Sequence, residues 1–194
     1  NFGMGNNQLS IVSPSKKIKL PLTYNNQTHL SFNGEIYNFK YLKEKFKLPN
    51  KYFKFLTDTE VLYHLLNIGE KDLSDLNGVW SFAFYNNSNH SLQLSRDLLG
   101  ERNLYYFISG NELIFSSEIK PVFAGNSLSF KIDNIAIQDM WRYYTCREDR
   151  SIIENCKKLK PGTTYTFSYH NKSLFNHSSL EIEKWLGFTK KNKE

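Results

Sequence analysis

The apolar residues of this chain fall into strand-length runs separated by turn-forming residues, and this spacing constrains the fold more than any other feature. Val79–Tyr85 is among the longest uncharged apolar stretches, and Leu92–Leu94 follows it across Asn86–Ser91. Leu104–Ile108 and Leu113–Phe115 flank Ser109-Gly110-Asn111 in the same way. Short apolar runs bounded by Gly, Asn and Ser read as strands, and two such pairs read as hairpins. Thr163–Tyr169, after the Pro161-Gly162 turn, reads as a last strand.

Helical patches lie between the strand pairs. Thr57-Asp58-Thr59-Glu60 has the form of a capping box, with Val61, Leu62, Leu65 and Leu66 behind it and Gly69 as the stop. Phe39, Leu42 and Phe46 recur at helical spacing after Asn38, a candidate cap. Asp133 is expected to cap a helix containing Ile135, Ile137, Met140, Trp141 and Tyr144. Strands with helices set between them predict an α+β fold of mainly antiparallel sheets.

The composition excludes several classes. The chain has 194 residues, 40% of them hydrophobic and 15% aromatic, enough for one domain with a core and too much for a disordered chain. No apolar run approaches the ~18 residues of a membrane-spanning helix. The charge of +6 is spread out, and the one dense cluster, Lys190–Lys193, reads as a solvated tail rather than a nucleic-acid patch. The sequence begins with Asn1 and carries no signal-peptide pattern, so a piece of a longer, cytoplasmic chain is expected.

Few residues suggest chemistry on their own. His29, His64, His90, His170 and His177 show no metal-ligand spacing, and His64 sits inside an amphipathic pattern as a packing residue. Cys146 and Cys156 fit no zinc or redox motif, and Cys146 has no His near it in sequence. Asn33-Gly34 taken alone predicts a tight hairpin turn, and Asp58 taken alone is a carboxylate in a first helical turn.

Seven blocks in order change that reading. They are Gly5–Val12 (GNNQLSIV), Asn33–Asn38 (NGEIYN), Thr57–Val61 (TDTEV), Leu76-Asn77-Gly78 with Phe82-Ala83-Phe84, Arg96-Asp97 with Gly100 and Leu104-Tyr105-Tyr106, Ser116–Lys120 (SSEIK), and Leu159–Gly162 (LKPG). Together they resemble the glutaminase domain of glutamine-hydrolysing asparagine synthetases, a class II glutamine amidotransferase. The resemblance implies a four-layer αββα sandwich of the N-terminal-nucleophile hydrolase type. It implies a type 2 amidotransferase domain over residues 1–170, lacking the family's N-terminal Cys segment. Residues 171–194 are then a linker toward a missing ATP-dependent synthetase domain.

The same resemblance assigns roles. Glutamine is hydrolysed by the thiolate of an N-terminal Cys, and the ammonia passes to the synthetase half, which amidates aspartate. Asn33 and Gly34 are the oxyanion donors: a side-chain amide followed by a residue that lets the backbone come close. Glu35 and Asp58 match the acidic contacts to the substrate's α-ammonium. Leu9, Ser10, Ile11 and Val12 line the pocket with backbone, and Gln8 stands where the family has an Arg that grips the substrate carboxylate. Arg96-Asp97 is expected to be an ion pair bracing its hairpin. No metal or cofactor is expected in this domain, ATP and Mg belonging to the synthetase half. The implied partners are glutamine, the synthetase domain and a second copy in a homodimer, with no nucleic acid and no membrane. The alternative is a degenerate, structural glutaminase-like domain of a related ATP-dependent synthetase that does not use glutamine. Gln8 favours that alternative, whereas Asn33, Gly34, Glu35 and Asp58 favour a working glutaminase.

Overall fold

A computed structural model describes residues 2–6, 18–24, 26–70, 72–124, 131–147, 149–170 and 173–181, with backbone alone for 123, 124, 169, 170 and 173–181. The strands are β1 (Thr28–Ile36), β2 (Gly78–Asn86), β3 (Ser91–Arg96), β4 (Tyr105–Ser109), β5 (Glu112–Ser116), β6 (Cys156–Lys158), β7 (Thr163–His170) and β8 (Ser173–Glu181). The helices are α1 (Phe39–Lys45), α2 (Asp58–Asn67), α3 (Ile119–Ala124) and α4 (Asn134–Tyr143). One sheet has the order β1-β2-β3-β7-β8 and the other β5-β4-β6, and the pairs within both are antiparallel.

Burial sorts these elements into layers. Leu30, Phe32 and Ile36 of β1 and Trp80, Phe82 and Phe84 of β2 pack with Leu42 of α1 and Val61, Leu62, Leu65 and Leu66 of α2. The opposite face of the same sheet supplies Ala83, Leu92, Leu94 and Phe167, which meet Leu104 and Tyr106 from the second sheet and its approach. On the far side of the second sheet, Phe107 and Cys156 pack with Val122 of α3. The result is an αββα sandwich. The Val79–Tyr85 run is apolar without alternation because β2 lies between a helical layer and another sheet, so both of its faces are buried from Trp80 to Phe84.

Both expected hairpins form, as β2–β3 and β4–β5, and the last expected strand forms as β7. The capping box is complete: the Thr57 hydroxyl accepts from Glu60 N–H, and the Glu60 carboxylate accepts from Thr57 N–H. Asp133 caps α4 by accepting from Ile135 and Ala136 N–H.

Other expectations are corrected. Asn33-Gly34 is not a turn; it lies inside β1, where Asn33 pairs with Ser81 and Gly34 with Trp80. Asn38 occupies the N-cap of α1 without capping it, because its side chain donates to Asp75 C=O and accepts from Asn77 N–H, tying the helix start to the loop before β2. Residues 173–181, expected within a linker, form β8 against β7. Residues 182–194 and the Gln8–Val12 segment lie outside the described residues. Among the described residues, no helix is long and apolar enough to cross a membrane.

Candidate active site

The site grows out of the position of β1 at the edge of its sheet. β2 occupies one side of β1. On the other side, Leu30 exchanges backbone hydrogen bonds with Leu22 at 2.8 and 3.0 Å, and Ile36 N–H donates to Asp58 Oδ2 at 3.1 Å. Backbone polar groups alternate direction along an antiparallel strand. Residues 30 and 36 both point outward, so Phe32 and Gly34, at the same parity, point outward too. Gly34 N–H is thus aimed off the outer edge of the sheet, about 7 Å along the strand from Ile36 N–H and the carboxylate it holds.

Only glycine fits at that place. Gly34 has φ +146°, and a Cβ added there would lie 2.1 Å from Val79 O and 2.6 Å from Trp80 Cα. Gly78, opposite Ile36, has the matching problem against Glu35 O at 2.1 Å. The two glycines bring β1 and β2 together tightly where Asn33 is presented.

Side chains alternate as well. Leu30, Phe32 and Ile36 face the helices, so Ser31, Asn33 and Glu35 share the inner face. Ser31 and Asn33 line a cavity of about 590 Å³ between the sheets, with Ser81 and Ala83 of β2, Leu104 and Phe115, the Ser116-Ser117-Glu118 segment, Pro121, and Gly5-Asn6. Asn33 is exposed, and its amide has no hydrogen-bond partner among the described residues, whereas Ser31 Oγ donates to Asn6 Oδ1 at 2.6 Å. An unengaged amide at a cavity wall, next to an outward N–H, can supply two donors to a developing oxyanion. The polar alternation Ser31-x-Asn33-x-Glu35 could have shown this wall in the sequence; Asn6, Ser81, Ser116, Ser117 and Glu118 carried no such signal.

Asp58 lies on the α2 side of the same edge and does not line the cavity. Its Oδ1 accepts from Thr59 N–H at 2.7 Å and from the Thr59 hydroxyl at 3.3 Å, while Oδ2 holds Ile36 N–H. An ionised carboxylate offers about four acceptor positions, so Oδ2 keeps one for a ligand. Glu35 is half-buried at the end of β1, opposite Val79. The structure therefore brings Asn33, Gly34, Glu35 and Asp58 to one end of one strand.

Two supports brace this end. Glu60 is fully buried, yet its carboxylate accepts from Tyr24 Oη at 2.5 Å, Lys54 N–H at 2.7 Å, Phe55 N–H at 3.2 Å and Thr57 N–H at 3.1 Å. Burial alone would raise its pKa, but these donors outweigh it and hold the carboxyl below its ordinary range. The second support is Asp97, which accepts from Trp80, Leu99, Glu101 and Arg102 N–H and so fixes β2 opposite Gly34. The expected Arg96–Asp97 ion pair is not the arrangement found. Arg96 is buried and donates instead to Arg102, Leu159 and Gly100 C=O and to Asn103 Oδ1. The pair serves the 97–103 loop through its backbone.

The remaining candidates are structural. His64 stacks between Tyr24 and Tyr52 with Nε2 2.9 Å from Tyr52 O, and burial lowers its pKa. Neither cysteine lines the cavity, and burial raises both thiols. Among the described residues, no group of three His, Cys, Asp or Glu side chains could hold a metal ion.

A profile of the glutamine amidotransferase domain matches residues 1–178. The chain belongs to this family. It is 30% identical over 200 residues to a putative glutamine-hydrolysing asparagine synthetase of Methanocaldococcus jannaschii, covering 94% of this chain and 38% of the relative. It is 27% identical over 184 residues to asparagine synthetase 3 of Bacillus subtilis, covering 93% of this chain and 30% of that protein. The chain thus spans about a third of the length of these relatives. Among solved structures, the allosteric regulatory enzyme of purine biosynthesis matches with a TM-score of 0.51 at 19% identity, covering 84% of this chain and 31% of that one. That likeness supports the N-terminal-nucleophile type of αββα sandwich.

Proposed function

We propose that this amidotransferase domain is the glutaminase part of a glutamine-hydrolysing asparagine synthetase. The observation that carries the reading is Asn33 beside the outward N–H of Gly34, at the end of a strand whose next outward amide is held by Asp58. A thiolate supplied by the full-length polypeptide attacks the side-chain amide carbon of glutamine. The carbonyl oxygen becomes an oxyanion and accepts from Asn33 Nδ2 and Gly34 N–H. The C–N bond then breaks, ammonia leaves with a proton, and water hydrolyses the thioester to glutamate. Asp58 and Glu35 receive the α-ammonium, and residues 8–12, with Gln8 in the carboxylate position, complete the glutamine site.

In this reading the ammonia is used by a synthetase domain that amidates aspartate. ATP and Mg act in that domain, and no step on the present chain is routed through them. The full-length enzyme is a cytoplasmic homodimer. The test is to follow glutamate release and asparagine formation by the full-length protein with glutamine or ammonium as nitrogen donor. The reading requires both reactions. Synthesis that never responds to glutamine would instead support a degenerate glutaminase-like module.

A further inference from the structure

Helix α4 presents an apolar face outward. Ala136 and Asp139 are its buried residues, and the Asp139 carboxylate is anchored by Arg147 at 2.7 Å. Ile137, Met140 and Trp141 follow the i, i+3, i+4 spacing of a single helical face, and Tyr144 follows at the C-cap position just beyond α4. Trp141 is 84% exposed and Tyr144 91%. Neither side chain makes a hydrogen bond or a ring contact among the described residues. Isolated apolar residues on a surface are ordinary, but a contiguous stripe with two open aromatic rings marks an interaction surface.

The backbone at the end of the stripe is a left-handed C-cap. Tyr144 closes α4 in the left-handed conformation, φ 58°, with its N–H on Met140 O at 3.0 Å. That conformation suits glycine or asparagine and is disfavoured for a bulky aromatic residue.

We propose that the Ile137–Met140–Trp141 face of α4, with Tyr144 at its C-cap, is the surface on which the synthetase domain of the full-length polypeptide docks, an inference that rests on the function proposed above. The chain covers 38% and 30% of its two relatives, so most of such a polypeptide lies outside these residues. A stripe on a ten-residue helix is only about 15 Å long, too small by itself for the roughly 800 Å² per partner of a stable complex between separate molecules. A tethered domain needs far less area, because the linker sets an effective concentration near the millimolar range.

The test is hydroxyl-radical footprinting of the full-length protein, read residue by residue by mass spectrometry. Trp141 and Tyr144 should be oxidised about 10-fold more slowly than in the urea-unfolded protein, at every dilution. Oxidation close to the unfolded rate would overturn the proposal. Protection that disappears on dilution to monomers would also overturn it, by showing that a second copy covers the stripe. Footprinting reads no catalysis, so an enzyme that ignores glutamine but protects these rings contradicts the proposed function alone. The Trp141→Glu/Tyr144→Glu double variant gives a second readout: glutamate release should persist while asparagine formed per glutamate falls severalfold. An unchanged ratio would count against docking at this face.

Discussion

Ile36 N–H donates to Asp58 Oδ2 at 3.1 Å, joining the outer edge of β1 to the first turn of α2. The bond fixes a carboxylate two residues along the strand from the outward N–H of Gly34. In the proposed function, recognition and chemistry are set out along this single strand edge.

Asp58→Asn in the full-length protein should weaken glutamine use and spare ammonia-driven synthesis. A hydrogen bond to a charged group contributes about 1.5–3 kcal/mol, so kcat/KM for glutamine should fall roughly 10-fold or more. The asparagine carbonyl can still accept from Ile36, but its amide nitrogen cannot accept from Thr59 N–H, so stability should fall by about 1 kcal/mol. Equal losses with both nitrogen donors would assign Asp58 to the helix start alone.

Gly34→Ala should destabilise the domain by about 3 kcal/mol or more, because the added methyl meets Val79 O and Trp80 Cα in a left-handed backbone conformation. Gly78→Ala is the matching control on the other strand. Both variants should unfold at lower urea concentration by similar amounts. A Gly34→Ala protein as stable as the parent would contradict the close approach of β1 and β2.

Glu60→Gln should cost about 3 kcal/mol, since an amide nitrogen would face backbone N–H donors in a buried site. Tyr24→Phe should cost about 1 kcal/mol, the smaller value reflecting the exposure of Tyr24. The folded Glu60 pKa is depressed, so its contribution is present above the unfolded value and lost as pH falls through the folded one. The advantage of the parent over Glu60→Gln in urea melts should therefore shrink below about pH 4.5. Tyr24 is shifted the other way, raised first by burial and then by Glu60, so its contribution fades as pH rises above about 10. An advantage constant from pH 3 to 7 would contradict a charged Glu60.

How much of this was legible in the sequence depends on the range of each interaction. The Thr57–Glu60 box and the Asp133 cap are local, and their residues suffice to place α2 and α4. The hairpins are nearly local, and they too are found where the turn residues put them. Asn33-Gly34 misleads because its preference for a turn is overridden across the sheet. Trp80 and Gly78 hold it in a strand, and glycine there answers to interstrand contact rather than chain reversal. The Arg96–Asp97 pair misleads for a related reason: adjacent opposite charges suggest each other, but both side chains bond other groups instead, mostly backbone of the 97–103 loop with Trp80 N–H and Leu159 C=O. Tyr24 and Glu60 are 36 residues apart and meet only through the packing of α2 beneath β1, so no local signal marks them. The glutaminase signature around Asn33 was legible as a resemblance; the edge geometry that gives it meaning was not.

The central claim concerns Asn33, and Asn33→Ala tests it most directly. The side chain is exposed and has no partner among the described residues, so its removal should change stability by no more than about 0.5 kcal/mol. Loss of one oxyanion donor should reduce glutamate release by the full-length enzyme about 10²–10³-fold in kcat, with ammonia-driven asparagine synthesis unchanged. Glutamate release by a folded Asn33→Ala enzyme at the parent rate would contradict the account.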